Sequence, residues 1–296
     1  MNPRSLLNLA LALALLLLGA LVWHAQRPAP PVEMPRLTTL READITRIAV
    51  RPRDAEATQL ERRDGEWRLA TLFDLPADDE HVRSLLALAR TRSLARYPAD
   101  AIDPGEAGLA TPALTVRLND TSLQFGGTEP LHGWRYVRNG DTVHLILDRY
   151  SHSLRGGPTS LASPTLLPPG SRLHAIVLPD LQLREEHGQW RAEGRDIDPE
   201  RLRALAEAWE TARALRLERV AGKHHGKSPR TTITLQPVGT APPVHLTLQR
   251  EADAVWLVRP DLGLRYRFTR ETARHLLQPP AATPTTSDPA PTAPDA

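Results

Sequence analysis

Residues 45–70 read ITRIAVRPRDAEATQLERRDGEWRLA, and residues 173–193 read LHAIVLPDLQLREEHGQWRAE. Within each stretch, apolar and polar positions alternate in three short runs, the period-2 signature of a half-buried strand. Asp64-Gly65 in the first and Gly188 in the second fall between the second and third runs, where a tight hairpin turn needs glycine. A tryptophan follows each turn glycine by two positions, Trp67 after Gly65 and Trp190 after Gly188. The same strands, turn and aromatic in both places point to one unit written twice.

The order of elements stays matched on the C-terminal side. Asp78 and Asp198 are placed as helix N-caps, with Glu80 and Glu200 in the first turn and Pro199 at the first helical position. Val82, Leu85, Leu86 and Ala89, matched by Leu202, Leu205, Ala206 and Trp209, recur at helical spacing and give each helix one apolar face. Four alternating runs follow at 112–118, 121–127, 134–141 and 142–147, matched by runs at 231–237, 244–250, 254–260 and 264–268. A short helix is expected to end each unit, around Tyr150 to Leu154 and Arg270 to Leu277. The predicted fold class is α+β: two tandem diverged repeats behind an N-terminal transmembrane helix, each a mostly antiparallel sheet with one longer and one short helix. The first repeat is placed at 39–157, a linker at 158–172 and the second repeat at 173–278.

The two ends have a different composition. Residues 6–23, LLNLALALALLLLGALVW, carry no charge, and at roughly 1.5 Å per residue they approach the thickness of a bilayer's hydrocarbon. Ala25 has Trp23 two positions before it and Ala20 has Leu18, so a small-x-small cleavage site is lacking and a retained anchor is favoured over a secretory signal. Arg4 then keeps residues 1–5 in the cytoplasm and puts the body on the far side. In a bacterium that is a single pass through the inner membrane with a periplasmic body. The bilayer is thus one expected partner, through residues 6–23, and a membrane protein is the other. Residues 24–38 read as a Pro-rich stalk, and residues 279–296 as a Pro/Thr/Ala-rich tail too polar for a core.

Composition removes several functions. Lys and Arg number 37 against 35 Asp and Glu, and the two signs alternate along the chain, so a nucleic-acid surface is not expected. There is no cysteine, which excludes disulfides, thiolate metal sites and a Cys nucleophile. Residues 221–228, AGKHHGKS, approach a phosphate loop with Ala221 in place of the first glycine and Lys227 in place of the phosphate-binding lysine. A strand pattern follows instead of a helix, so no nucleotide is expected there. His224 and His225 are adjacent, which does not aim both at one metal. Asp78-Asp79-Glu80 reads as a helix start, Glu185-Glu186 as a solvated strand end, and Gly126-Gly127 and Gly156-Gly157 as turn or linker glycines. No catalytic residue, cofactor-binding residue or metal ligand is assigned, and the chain is not expected to be an enzyme. Trp134, Tyr136, Trp256 and Tyr266 fall on strands and are the candidate partner-binding aromatics, with core filling as the competing role.

The N-terminal anchor, I-x-R-I-x-V, the Gly-x-Trp turn, the capped helix, Gly108-Leu109-x-x-Pro112-Ala113-Leu114-Thr115-Val116, Phe125-Gly126 and Tyr136-Val137-Arg138 together resemble an uncharacterised bacterial family, domain of unknown function 4340. The resemblance covers most of 45–277. It implies an envelope protein auxiliary to a transporter-type membrane complex, since some relatives accompany gliding-motility assemblies of that kind, and it carries no catalytic residue. The expected function is therefore a non-enzymatic, membrane-anchored interaction or scaffold module. The alternative is an envelope enzyme or small-ligand binder with its site in the cleft between the repeats.

Overall fold

Alternation of buried and exposed side chains builds two antiparallel sheets. The computed structural model describes residues 15–21, 23, 34–71, 74–220 and 231–281. The first sheet holds β1 (Arg47–Pro52), β2 (Thr58–Arg63), β3 (Glu66–Leu69), β4 (Leu75–Pro76), β5 (Ala95–Pro98), β6 (Leu114–Leu118), β7 (Thr121–Thr128), β8 (Arg135–Asn139) and β9 (Thr142–Ile146). Their order across the sheet is β4-β3-β2-β1-β6-β7-β8-β9-β5. The second sheet holds β10 (Leu173–Val177), β11 (Gln182–Glu186), β12 (Gln189–Ala192), β13 (Arg216–Arg219), β14 (Thr231–Pro237), β15 (Val244–Arg250), β16 (Val255–Arg259) and β17 (Leu264–Phe268), in the order β12-β11-β10-β14-β15-β16-β17-β13. Apart from the extra edge strand β4, the two orders are the same.

Register explains why the alternation matters. Ile48 lies between Leu60 and Leu118, and Ile176 between Leu183 and Leu235, so each central strand sets its isoleucine among leucines on the core face. The hairpin turns are as expected: Asp64 and Gly65 have φ of 51° and 88°, and His187 and Gly188 have 54° and 79°, the left-handed pair that suits the strand twist. Helices α1 (Asp79–Ala87), α2 (Pro158–Leu161), α3 (Pro199–Glu210) and α4 (Arg270–Leu277) complete the fold. Asp78 accepts from the backbone N–H of Glu80 and His81, and Asp198 from that of Glu200, so both caps form where the sequence places them. Leu85, Leu202 and Leu205 are fully buried on the sheet side.

Several expectations are corrected. With 17 strands and four α-helices, one of them a single turn, among the described residues of 34–281, this part of the chain is mostly β where α+β was expected, and its sheets are antiparallel as expected. In place of a helix at Tyr150 to Leu154 there is a 3-10 turn at Ser153–Arg155 followed by α2. Gly126-Gly127 lies inside β7, not in a turn or linker. The strands that follow the long helices, β5 and β13, had no assignment, and they carry the chain to the far edge to pair with β9 and β17.

Each unit also begins earlier than its sequence boundary. Leu37 donates its N–H to Thr91 at 2.8 Å and Pro35 accepts from Ser93 at 2.7 Å; in the second unit Leu166 donates to Ala212 at 3.2 Å and Pro164 accepts from Ala214 at 2.9 Å. Leu37 and Leu166 are each 1% exposed. The carbonyl of Leu37 accepts from Asn139 at the end of β8, and that of Leu166 from Arg259 at the end of β16. So the end of the stalk and the middle of the linker are parts of the two units.

One continuous apolar cluster runs through both sheets. Residues 15–21 and 23 are helical, and among the described residues no helix is long and apolar enough to cross a membrane. The rest of the 6–23 segment, most of the stalk, the tail from residue 282, and His224, His225 and Lys227 lie outside the described residues.

Candidate functional site

Three carboxylates whose pKa is held down, Asp78, Asp148 and Glu129, are occupied by backbone N–H groups. Burial pushes Asp78 up, but the His81 N–H and ring and the Glu80 N–H outweigh it and leave the carboxyl below 3.8. Arg213 of the second unit adds a contact at 3.2 Å. Asp148 follows the same logic: burial opposes its ionisation, and bonds from Ser151, Tyr150 and Arg135 overcome it. Glu129 is held low first by the His132 N–H, against burial, with the Leu131 N–H assisting. Each caps a turn or helix, so Asp78-Asp79-Glu80 is indeed a helix start, while Glu185 and Glu186 sit on β11.

The core of the junction between the units is apolar, and two ion pairs also cross it, Asp78–Arg213 and Glu56–Arg219. Ala77 bridges Ala162, the Asp78 N–H donates to Leu161 and the Ser163 N–H to Pro76, while Leu154, Leu161, Leu166 and Leu167 are buried there in the shared cluster.

The four singled-out aromatics do not gather. Trp134 and Tyr136 are half-buried in the first unit, Trp134 stacking on His132 with ring centroids 4.3 Å apart. Trp256 and Tyr266 belong to the second sheet and are 2% and 1% exposed. Tyr266 is in the main core, where burial pushes its hydroxyl pKa up. Trp256 lies under the Arg265 guanidinium, 4.0 Å from the ring centre, and its Nε1 has no hydrogen-bond partner among the described residues. Among the described residues no three His, Asp or Glu side chains gather as metal ligands.

What sequence reasoning missed is a pocket at one end of the second sheet. The β10–β11 turn with Asp180 and Leu181, the approach to α3 with Arg195 and Ile197, the β15–β16 turn with Arg250 and Glu251, and the face of α4 carrying Arg270, Ala273, Arg274 and Leu277 surround about 660 Å³. Four guanidinium groups face two carboxylates there. Only Arg270 and Arg274, one helical turn apart, were close enough in sequence to signal it.

The family described as Domain of unknown function (DUF4340) matches residues 67–228, more than half of the 296 residues. The chain belongs to this family. No curated protein and no solved structure matches it. The DUF4340 match begins at Trp67, directly after the first hairpin turn, and runs unbroken through the junction into the second unit. The glycines that carried the resemblance have a packing reason. A Cβ on Gly126 would lie 2.3 Å from the Ala107 carbonyl, and one on Gly108 2.8 Å from the Gly127 nitrogen. These DUF4340 glycines let the 103–110 loop lie on β7, where Ala107 and Leu109 cover Val143 and Tyr136.

Proposed function

We propose that this chain is a membrane-tethered, non-enzymatic interaction module whose body is two diverged copies of one folding unit. The tether is carried by one observation. Leu15, Leu16, Leu17, Leu18 and Leu21 are consecutive or one turn apart on a helix and are 62% to 72% exposed, whereas most leucines of the two sheets are buried in the shared core and those that are exposed, Leu131, Leu147 and Leu215, stand singly. A bilayer is the medium that would cover such a stretch. With residues 1–5 and Arg4 on the cytoplasmic side, the body lies across the inner membrane of a bacterium, in the periplasm.

Duplication is supported by the common strand order, the paired Pro-x-Leu lead segments and the matched contacts of Asn139 and Arg259. Interaction rather than catalysis is supported by Asp78, Glu129 and Asp148, whose lone pairs are taken by backbone N–H groups. A transporter-type membrane complex is the partner that the family resemblance implies.

The test compares the full chain with one lacking residues 6–23. The full chain should stay with membranes in alkaline carbonate and be digested only from the periplasmic side. It should also form a reproducible crosslink to a membrane protein that the shortened chain does not form. Release by carbonate, or a mature N-terminus beyond Trp23, overturns the tether; crosslinks no different from a tag-only control overturn the partner.

A further inference from the structure

The pocket at the end of the second sheet is electrostatically incomplete. Arg195, Arg250, Arg270 and Arg274 line it, and among the described residues none of the four side chains has a hydrogen-bond or ion-pair partner. The neighbouring arginines on the same sheet are matched: Arg265 lies 2.5 Å from Glu218, Arg267 2.7 Å from Asp253 and Arg259 2.7 Å from Asp261. Of the pocket's two carboxylates, Glu251 is engaged by Arg265 at 3.4 Å, which leaves Asp180 alone against four cations. Arg270 opens α4, where a positive charge works against the helix dipole. All four arginines are exposed, and four like charges gathered in one concavity set up a positive potential that attracts an anion.

Beneath the arginines the lining is apolar. Leu181, Val255 and Ala273 are buried, and Ile197 and Leu277 half-buried. The volume falls in the range of small-ligand sites. At the corresponding end of the first sheet Leu154 is fully buried, and Gly157 packs near the β1–β2 turn, where an added Cβ would lie 3.6 Å from that of Ala55. In the second unit the last helix stands against α3 instead, through the Trp209 indole N–H and the Leu276 carbonyl.

We infer that this pocket binds an amphiphilic phosphate, with the phosphate head among the four arginines and an apolar group against Leu181 and Val255. Guanidinium forks match phosphate oxygens in pairs, and a doubly charged head offsets more of the unpaired charge than a single carboxylate does. The inference does not depend on the tether, because the pocket lies within the folded body.

Hexyl phosphate is titrated calorimetrically into the full chain held in phosphatidylcholine nanodiscs, with empty discs subtracted. It should bind about ten-fold or more tighter than inorganic phosphate, which lacks the chain, and than hexyl glucoside, which lacks the charge. Arg270→Glu with Arg274→Glu should weaken it about ten-fold or more, and added salt should weaken it too. Arg62→Glu, an exposed site on β2, should leave it unchanged. Equal binding of hexyl phosphate and hexyl glucoside, or an unaffected double variant, overturns the inference. Adding phosphatidic acid to the discs identifies the source: suppression of the titration assigns the pocket to a lipid headgroup, and an unchanged titration assigns it to a soluble phosphate ester.

Discussion

Two glycines show how differently one residue type can be required. Gly65 has φ of 88° with open space where a side chain would go, so Gly65→Ala meets only the conformational cost of the left-handed region, about 1 to 2 kcal/mol. Gly126 has no such backbone demand, but its Cβ would press on the Ala107 carbonyl at 2.3 Å. Backbone must move against backbone, and Gly126→Ala should cost about 3 kcal/mol. Urea unfolding of the two variants should show that ranking, with faster amide exchange at Gly127, which donates to Ala107, in the second variant alone. His144 supplies a pH dependence. It is 6% exposed beside the Ser93 hydroxyl, and burial, then the Arg96 charge, hold its pKa below 6.5. The unfolded chain therefore takes up a proton near pH 6.5 that the folded chain refuses. This stabilisation is full above that value and is lost as pH falls through it, by at most about 1.4 kcal/mol per unit. Unfolding at pH 7.5 and 5.5 should show a smaller fall in His144→Gln than in the parent.

At the scale of elements, legibility followed the range of the interaction. Strand alternation, the Gly65 and Gly188 hairpins and the Asp78 and Asp198 caps depend on residues a few positions apart, and they were readable. The lead segments and the strands β5 and β13 depend on partners tens of residues away, Thr91 for Leu37 and Leu145 for Ala95. Their own short runs hold too little alternation to announce a strand. The pocket was illegible for the same reason, since its arginines come from two separate connections and a helix. The caps make the comparison testable. Asp198 is exposed and holds only the Glu200 N–H, so Asp198→Ala should cost about 1 kcal/mol. Asp78 is 6% exposed and also serves His81 and Arg213. Asp78→Ala should cost about 2 kcal/mol or more, because the His81 ring and Arg213 lose a charged acceptor along with the cap. Equal midpoint shifts in chemical denaturation would show that the contact to the second unit adds nothing.

For the whole molecule, the linking chain decides whether two units behave as one. Leu161 and Ser163 bond to the first unit, and Pro164 and Leu166 to the second, within six residues. Leu161 and Leu166 are buried in the cluster that both sheets share. Neither unit can open without exposing a face of this segment, so the body should unfold in a single transition. Leu161→Ala, which removes about 2 to 5 kcal/mol at a fully buried site, should lower the midpoint of both units together. Fluorescence can follow this in chains that keep either Trp67, in the first unit, or Trp209, which is fully buried in the second. The parent should give coincident curves from the two probes, and Leu161→Ala should shift both by the same amount. If the Trp67 curve moves while the Trp209 curve stays, the junction is a hinge between independent domains, and the shared core does not couple them.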